Sequence, residues 1–383
     1  MYEIKKLKDC ATIIAGQSPE SKYYNTDGVG MPFFQGKADF GELYPTVRVY
    51  CSQPTKIAEK DDILLSVRAP VGPTNLSPGQ VCIGRGLAAI RPSSDVNLRY
   101  LLYYFRFFEA QLSKKGTGTT FKSITQATIK NLDVPVPSFP KQERIVVRIE
   151  ELFSELDKAV ETLRTTKQQL EVYRQAVLKE AFENIPMPTH KPLASLCKNI
   201  VDCPHSTPKW TSNGKLCLRT TNFRRGYLDL SEKNYVSEET FNTRILRLKP
   251  LPGDVLYSRE GAILGLACII PPELEICMGQ RMMLLRPVDE LDNRFLMHYL
   301  NSPKARELVV KSIGGTASPH INVGDIKNFH IPFVPKLKQI EVISEIESRL
   351  SVCDSIEQTV DATLQQTDAL RQSILKEAFE RRL

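Results

Sequence analysis

Long hydrophobic runs are missing from this chain. The most apolar stretch, residues 261–270, stops at Pro271-Pro272, far short of the ~18–20 apolar residues a membrane span requires. The start, MYEIKKLKDC, lacks the apolar core of a secretory leader, so cytoplasmic residence and no membrane partner are expected. Nine cysteines, an odd number with no CxxC pair, argue against a disulfide framework and suit a reducing compartment. Catalytic motifs are missing too. There is no Walker A sequence, no GxGxG-type cofactor loop with NPPY or DPPY, and no paired-acid-plus-lysine nuclease core. Together these absences point to a binding protein rather than an enzyme.

Two partial motifs are weak. In CIGRGLAA (82–89), Gly84, Gly86 and Ala89 approach a dinucleotide-binding fingerprint, but that fingerprint needs a helix after its third position. Pro92 follows almost at once, so a tight strand turn presenting Arg85, or Arg281 in the second half, is the expectation. Cys197, Cys203 and His205 lie close together in sequence but lack a fourth ligand nearby. No catalytic residue, bound cofactor or metal is therefore expected on this chain.

What is present is charge in separate blocks. The 383 residues carry a net charge of +7, and the length favours two core-forming units. Residues 1–138 hold 17 Lys+Arg against 12 Asp+Glu, and residues 184–335 hold 19 against 14. The stretches 139–183 and 336–383 come to −1 and −2. Two basic segments joined by near-neutral scaffolding suit two polyanion-binding surfaces.

The scaffolding is periodic. After Pro140 there is neither Pro nor Gly until Pro186, and Ile145, Ile149, Leu152, Leu156, Ala159, Leu163, Thr166, Leu170, Tyr173 and Val177 alternate steps of four and three, a coiled-coil seam. Such a helix is ~60–65 Å long and needs another helix to cover it. A shift of 197 residues gives Val342, Ile346, Arg349, Cys353, Ile356, Val360, Thr363, Thr367, Leu370 and Ile374. Antiparallel pairing of the two helices is expected, with Arg349, Thr363 and Thr367 as blemishes in the second seam. The shift also carries QAVLKEAFE (175–183) onto QSILKEAFE (372–380).

The duplication continues upstream with changing offsets. NLDVPVP (131–137) aligns with NFHIPFV (328–334), YLLYY (100–104) with FLMHY (295–299), AIRP (89–92) with LLRP (284–287), and DDILLSV (61–67) with GDVLYSR (253–259). Changing offsets mean loop insertions on a common framework. Each half mixes short β-rich runs with one helix, 99–112 and 293–311, so the fold class is α+β: two tandem target-binding heads joined by two long antiparallel helices. The boundaries are 1–138, 139–184, 185–335 and 336–383.

Polar loops between these elements are the candidates for phosphate and base-edge contact. In the first head they offer Lys22, Tyr23, Gln35, Lys37, Arg68, Arg85, Lys114, Lys115, Thr117, Thr119 and Lys122. In the second they offer Lys209, Arg219, Thr220, Asn222, Arg224, Arg225, Arg259, Arg281, Lys311, Thr316 and Ser318. Ile149, Leu156, Leu163, Leu170, Tyr173, Ile346, Ile356, Val360, Leu370 and Ile374 are the candidate coiled-coil and partner residues.

With these features assembled, the chain resembles the specificity subunit of Type I restriction–modification systems over essentially its whole length. DCPHSTPKWTSNG (202–214) and LRTTNFRRGYLDL resemble the opening of that family's target-recognition domains, as do GQSPESKYY (16–24) and PFFQGKADFG (32–41). PVPSFPKQERI and PFVPKLKQIEV resemble its repeated helical regions. The resemblance implies double-stranded DNA as partner, each head reading half of a split asymmetric target in the major groove. It also implies two methyltransferase subunits docked on the near-identical helix ends, and restriction subunits in the full complex. S-adenosylmethionine, ATP and magnesium would belong to those partners. A related system with a fused methyltransferase–nuclease partner, or a coiled-coil adaptor that binds no nucleic acid, stays open at this point.

Overall fold

In the computed structural model, which describes residues 3–117, 122–314 and 319–380, the chain divides into two compact units. One is Met1–Leu163 with Ala362–Leu383; the other is Arg164–Asp361.

The first unit is built around a strand that water never reaches. Every residue of Ile63–Ser66 is buried, the central part of a four-stranded antiparallel sheet ordered Ala11–Ala15, Leu87–Pro92, Ile63–Ser66, Thr74–Leu76. Successive side chains point to opposite faces. Ile63, Leu65, Ala88 and Ile90 therefore join the helix Leu98–Lys114 in one core, while Leu64, Leu87 and Ala89 join Phe34, Val81 and Ile83 of a second sheet. The run DDILLSV is continuously apolar because both of its faces are covered.

The second unit repeats this plan. Its sheet runs Cys197–Asp202, Met282–Pro287, Val255–Ser258, Ala267–Ile269. Val255, Tyr257, Met283 and Leu285 face the helices, while Leu256, Met282 and Leu284 face the other way. The single helix expected at 293–311 is two helices, Asn293–Leu300 and Pro303–Ser312. The break follows from the sequence: Pro303 takes a first-turn position, and Ser302 caps the new helix by accepting from the Ala305 N–H.

A buried glutamine ties each long helix to its head. Gln142 is fully buried; its Oε1 accepts from the Asn97 N–H at 2.7 Å, and its Nε2 donates to the carbonyls of Asp95 at 3.0 Å and Pro137 at 2.8 Å. Gln339 does the same with the Asp292 N–H and the carbonyls of Glu290 and Val334, each at 2.8 Å. Asn97 and Asp292 are the N-caps of the head helices. One side chain thus fixes where the strand ends, where the head helix starts and where the long helix departs.

The long helices span Phe139–Glu183 and Lys336–Phe379. In the second unit they run antiparallel: Lys167 meets Asp361 at 2.7 Å, Arg174 meets Asp354 at 2.6 Å, and Glu180 meets Arg349 at 2.9 Å. In the first unit Arg371 pairs with Asp157 and lies 5.1 Å from the Phe153 ring centroid. Ile149, Leu170, Ile346 and Val360 are buried as the seam predicts, and Leu156, Leu163 and Ile374 are half-buried. Three seam residues are not inside: Tyr173, Ile356 and Leu370 are 45%, 41% and 47% exposed. Their C-terminal neighbours Arg174, Glu357 and Arg371 turn inward instead and carry ion pairs. A strict 3.5-residue repeat drifts against the 3.6-residue turn, and the charged neighbours take up the difference. Arg349 is no blemish, because it lies 5.5 Å from the Tyr173 ring centroid while it pairs with Glu180.

The repeated LKEAFE is explained within each unit. Leu178, Ala181 and Phe182 are buried in the second unit, with the Phe182 ring 5.2 Å from both Phe295 and Tyr299. Leu375, Ala378 and Phe379 are buried in the first, with Phe379 5.3 Å from Tyr100 and 5.5 Å from Tyr104 and Phe107. The apolar letters recur because each helix end fills an equivalent aromatic socket. Lys179, Glu180, Lys376 and Glu377 remain on the surface.

One buried position differs between the repeats. Tyr103 donates to Glu150 at 3.2 Å. At the equivalent place His298 Nε2 stands 3.8 Å from Glu347 and finds no hydrogen-bond partner among the described residues. Burial, and next the nearby Arg294, push the imidazole pKa from 6.5 down to about 4 against the opposing pull of Asp292. The folded state therefore holds this histidine neutral. Its contribution is intact above about pH 6.5 and is lost as pH falls toward 4, because the unfolded chain takes up the proton first.

Two outcomes are expected. Gln142→Leu, which strands one buried N–H and two carbonyls, should lower the stability of the first unit by about 3 kcal/mol or more in urea unfolding. His298→Tyr should remove about 2 kcal/mol of the stability lost between pH 7 and pH 5, measured against the parent chain. Equal losses in both proteins would refute the assignment.

Candidate nucleic-acid interface

The two sheets of the first head meet at an edge where parallel strands end together. Met31–Phe34 pairs with Val81–Ile83 in parallel register, Phe33 opposite Cys82 and Phe34 opposite Ile83. Both strands therefore discharge their next residues at one edge: Gln35 from the first, and Gly84, Arg85 and Gly86 from the second. The Gly84 N–H donates to the Phe34 carbonyl at 2.8 Å. A Cβ on Gly86 would lie 2.2 Å from the Gln35 carbonyl oxygen, so only glycine permits this approach. The turn between strands expected at this glycine pair is what forms, with no helix behind it.

Backbone hydrogen bonds extend the row. Val67 N–H donates to the Gly86 carbonyl at 2.9 Å, Ile124 N–H to Val67 at 3.0 Å, and Ala69 N–H to Lys122 at 3.0 Å. Arg68 is thereby set beside Ser123, and Thr117 bridges to Ser123 in turn. Gln35, Lys37, Arg68, Arg85, Lys114, Lys115, Thr117 and Lys122 are all exposed. A cleft of about 260 Å³ opens here, lined by Arg68, Arg85, Ser123, Thr125 and Gln126 among others. Thr119 lies outside the described residues.

The second head repeats the row bond for bond. Lys215–Leu218 runs parallel to Ile276–Met278, with Leu218 opposite Met278. Gly279 N–H donates to the Leu218 carbonyl at 2.9 Å, Arg259 N–H to Arg281 at 3.0 Å, Ile321 N–H to Arg259 at 2.9 Å, and Gly261 N–H to Pro319 at 3.0 Å. This matching sets Gln35 against Arg219, Arg68 against Glu260, and Arg85 against Gln280. Gln280 and Glu260 escaped the sequence reading. The offset of 195 already visible in AIRP and LLRP, carried a few residues upstream, pairs Arg85 with Gln280 rather than Arg281.

Other candidates in the second head fall into place differently. Lys209, Arg219, Arg281 and Lys311 are exposed, and Thr220 is half-buried. Arg259 is not on the surface: it is 7% exposed and grips Asp202 through two hydrogen bonds of 2.8 and 2.9 Å. It occupies the position of the buried Val67, so it serves the interior. Asn222 is also buried; it accepts from the Arg219 N–H and donates to the carbonyls of Asp229 and Glu232, closing its own loop. Arg224 donates to the Thr221 and Phe223 carbonyls and pairs with Asp229 at 2.7 Å. Arg225 pairs with Glu171 at 3.4 Å. In the first head Lys22 pairs with Glu20 at 2.6 Å and sits 4.9 Å from the half-buried Tyr23 ring centroid. Thr316 and Ser318 lie outside the described residues.

Polar side chains at matching places on two sheet edges, led by the exposed Gln35, Arg68, Arg85 and Arg219, can hold phosphates and reach base edges. Comparisons with known proteins point the same way. A family model described as "Type I restriction modification DNA specificity domain" matches residues 1–172 and 213–366. The MjaX specificity subunit from Methanocaldococcus jannaschii is 38% identical over 167 residues, 43% of this chain and 38% of that protein. The Type I restriction enzyme EcoKI specificity subunit from Escherichia coli K12 is 21% identical over 370 residues, 90% of this chain and 79% of that protein. The chain thus spans from 38% to 79% of the length of these relatives. Its fold is similar to that of a chain from a structure of a type I R-M system, with a TM-score of 0.69 at 19% identity, covering 99% of this chain and 97% of that one. It is also similar to the HsdS subunit from Thermoanaerobacter tengcongensis, with a TM-score of 0.56 at 20% identity, covering 99% and 96%.

The geometry separates two arginines that the sequence grouped together. Arg259→Ala leaves Asp202 largely buried without its cation and should cost the second unit about 3 kcal/mol in urea unfolding. Arg281→Ala should leave the unfolding midpoint nearly unchanged, since the residue is exposed and lies 3.9 Å from Glu260.

Proposed function

The chain belongs to the family of Type I restriction modification DNA specificity domains, and from that premise we propose that it is the DNA-reading subunit of a Type I restriction–modification complex. The observation that carries this reading is the polar row built twice from the same backbone hydrogen bonds, once in each basic head. Each head reads one half of a bipartite, asymmetric target in the major groove, where every base pair offers a distinct donor and acceptor pattern. Lysines at the rim, such as Lys37, Lys114 and Lys122, hold phosphates and set the register.

The long helices act as the spacer between half-sites and as the docking surface for two methyltransferase subunits. With the apolar letters of LKEAFE used inside each unit, the exposed Lys179, Glu180, Lys376 and Glu377 are what a partner meets. Chemistry resides in the partners. The methyltransferases bring S-adenosylmethionine, and restriction subunits use ATP and magnesium, while this chain reads sequence and catalyses nothing.

Length and charge provide the tests. Four residues inserted into each long helix should lengthen it by ~6 Å, close to two base-pair rises at ~3.4 Å. Methylation mapping should then return unchanged half-sites separated by a wider gap; an identical gap would rule out the spacer role. Lys37→Ala should weaken binding evenly across sequences and flatten the salt slope by about 0.9, read from duplex binding by the complex at several salt concentrations.

A further inference from the structure

The two heads carry the same pair of side-chain types in opposite order. In the first, Gln35 follows the strand Met31–Phe34 and Arg85 sits in the turn after Val81–Ile83. In the second, Arg219 follows Lys215–Leu218 and Gln280 sits in the turn after Ile276–Met278. The backbone frame is shared, because Gly84 and Gly279 donate to the carbonyls of Phe34 and Leu218 at 2.8 and 2.9 Å. Glutamine and arginine have changed places on that frame.

We propose that these four residues choose bases, each head selecting one guanine through its arginine and one adenine through its glutamine, with the two positions exchanged between heads. The inference rests on the DNA-reading role proposed above and adds residue-level specificity to it. An arginine fork matches O6 and N7 of guanine, and a glutamine amide matches N6 and N7 of adenine.

Local contacts hold these side chains for that task. The Gln35 Cγ lies 3.2 Å from where a Cβ on Gly84 would stand, so the side chain packs against the turn that carries Arg85. Gln280 Nε2 donates to the His205 carbonyl at 2.5 Å. Its Oε1 accepts from Thr207 Oγ1 at 3.4 Å, so one N–H group and one lone pair of the amide oxygen remain for N7 and N6 of adenine. The Arg219 guanidinium lies 5.6 Å from the Trp210 ring centroid, which steadies its plane while its N–H edge stays available. Arg224 and Arg259, by contrast, are committed to Asp229 and Asp202.

The test is methylation mapping in cells that express the full chain with the methyltransferase subunit of its system. Arg85→Gln should change one guanine to adenine in one half-site, and Gln280→Arg one adenine to guanine in the other. Each should shift base preference at that position by about 5–150-fold, with the gap and the remaining positions unchanged. Where a variant methylates too weakly to map, Arg85→Ala and Gln280→Ala complexes should select from a randomised duplex pool a motif degenerate at that single position. An unaltered motif in either experiment overturns the proposal. A wild-type complex that yields no bipartite motif would instead sink the DNA-reading role beneath it.

Discussion

The buried glutamine at the root of each long helix is the constraint on which the rest of the architecture depends. A side-chain amide cut off from water must satisfy its donors and acceptor locally, or the fold loses several hydrogen bonds at once. Gln142 and Gln339 meet that demand with backbone groups from three directions: the end of a strand, the loop before the head helix and that helix's N-cap. All three bonds are met at once, so the exit of the long helix is tied down by hydrogen bonding as well as by packing. Packing then reinforces it, since Ile145 and Ile149 enter the first core and Val342 and Ile346 the second.

Duplication explains why the same solutions recur. A second charged lock, Arg91 with Asp62 and Arg286 with Asp254, stands at matching places in the two sheets, each arginine making its hydrogen bonds at 2.7–2.8 Å. Buried anions of this kind are costly without a partner, so both members persist together. Positions that face solvent carry no such penalty. There the copies have separated: Gln35 against Arg219, Arg68 against Glu260, Arg85 against Gln280. Rigid frame and variable edge are the two halves of a reader that can change its word without losing its fold.

Much of this was visible in the string of residues. The offsets of 197, 195 and 192 located the repeat, and the absence of Pro and Gly after Pro140 located the first long helix. Three things were not visible. Arg259 reads as a surface cation until Asp202, 57 residues away, is seen to grip it. Asn222 reads as a base reader until its loop closes around it. The seam register slips at Tyr173, Ile356 and Leu370 because periodicity counts apolar letters, whereas the folded pair also uses Arg174, Glu357 and Arg371. For Arg259 and the seam the deciding partner is remote in sequence, whereas the partners of Asn222 are near in sequence but converge only when the loop folds.

The division of the chain into units bears on how it is made. The second unit is one uninterrupted run, Arg164–Asp361, whereas the first draws on both Met1–Leu163 and Ala362–Leu383. The aromatic socket formed by Tyr100, Tyr104 and Phe107 is filled by Phe379. During synthesis on the ribosome, the unit begun first therefore stays unfilled while the later one can already close. For that interval a nascent chain exposes a sticky aromatic cavity, the kind of surface that chaperones hold, and its maturation is governed by arrival of the last helical turns.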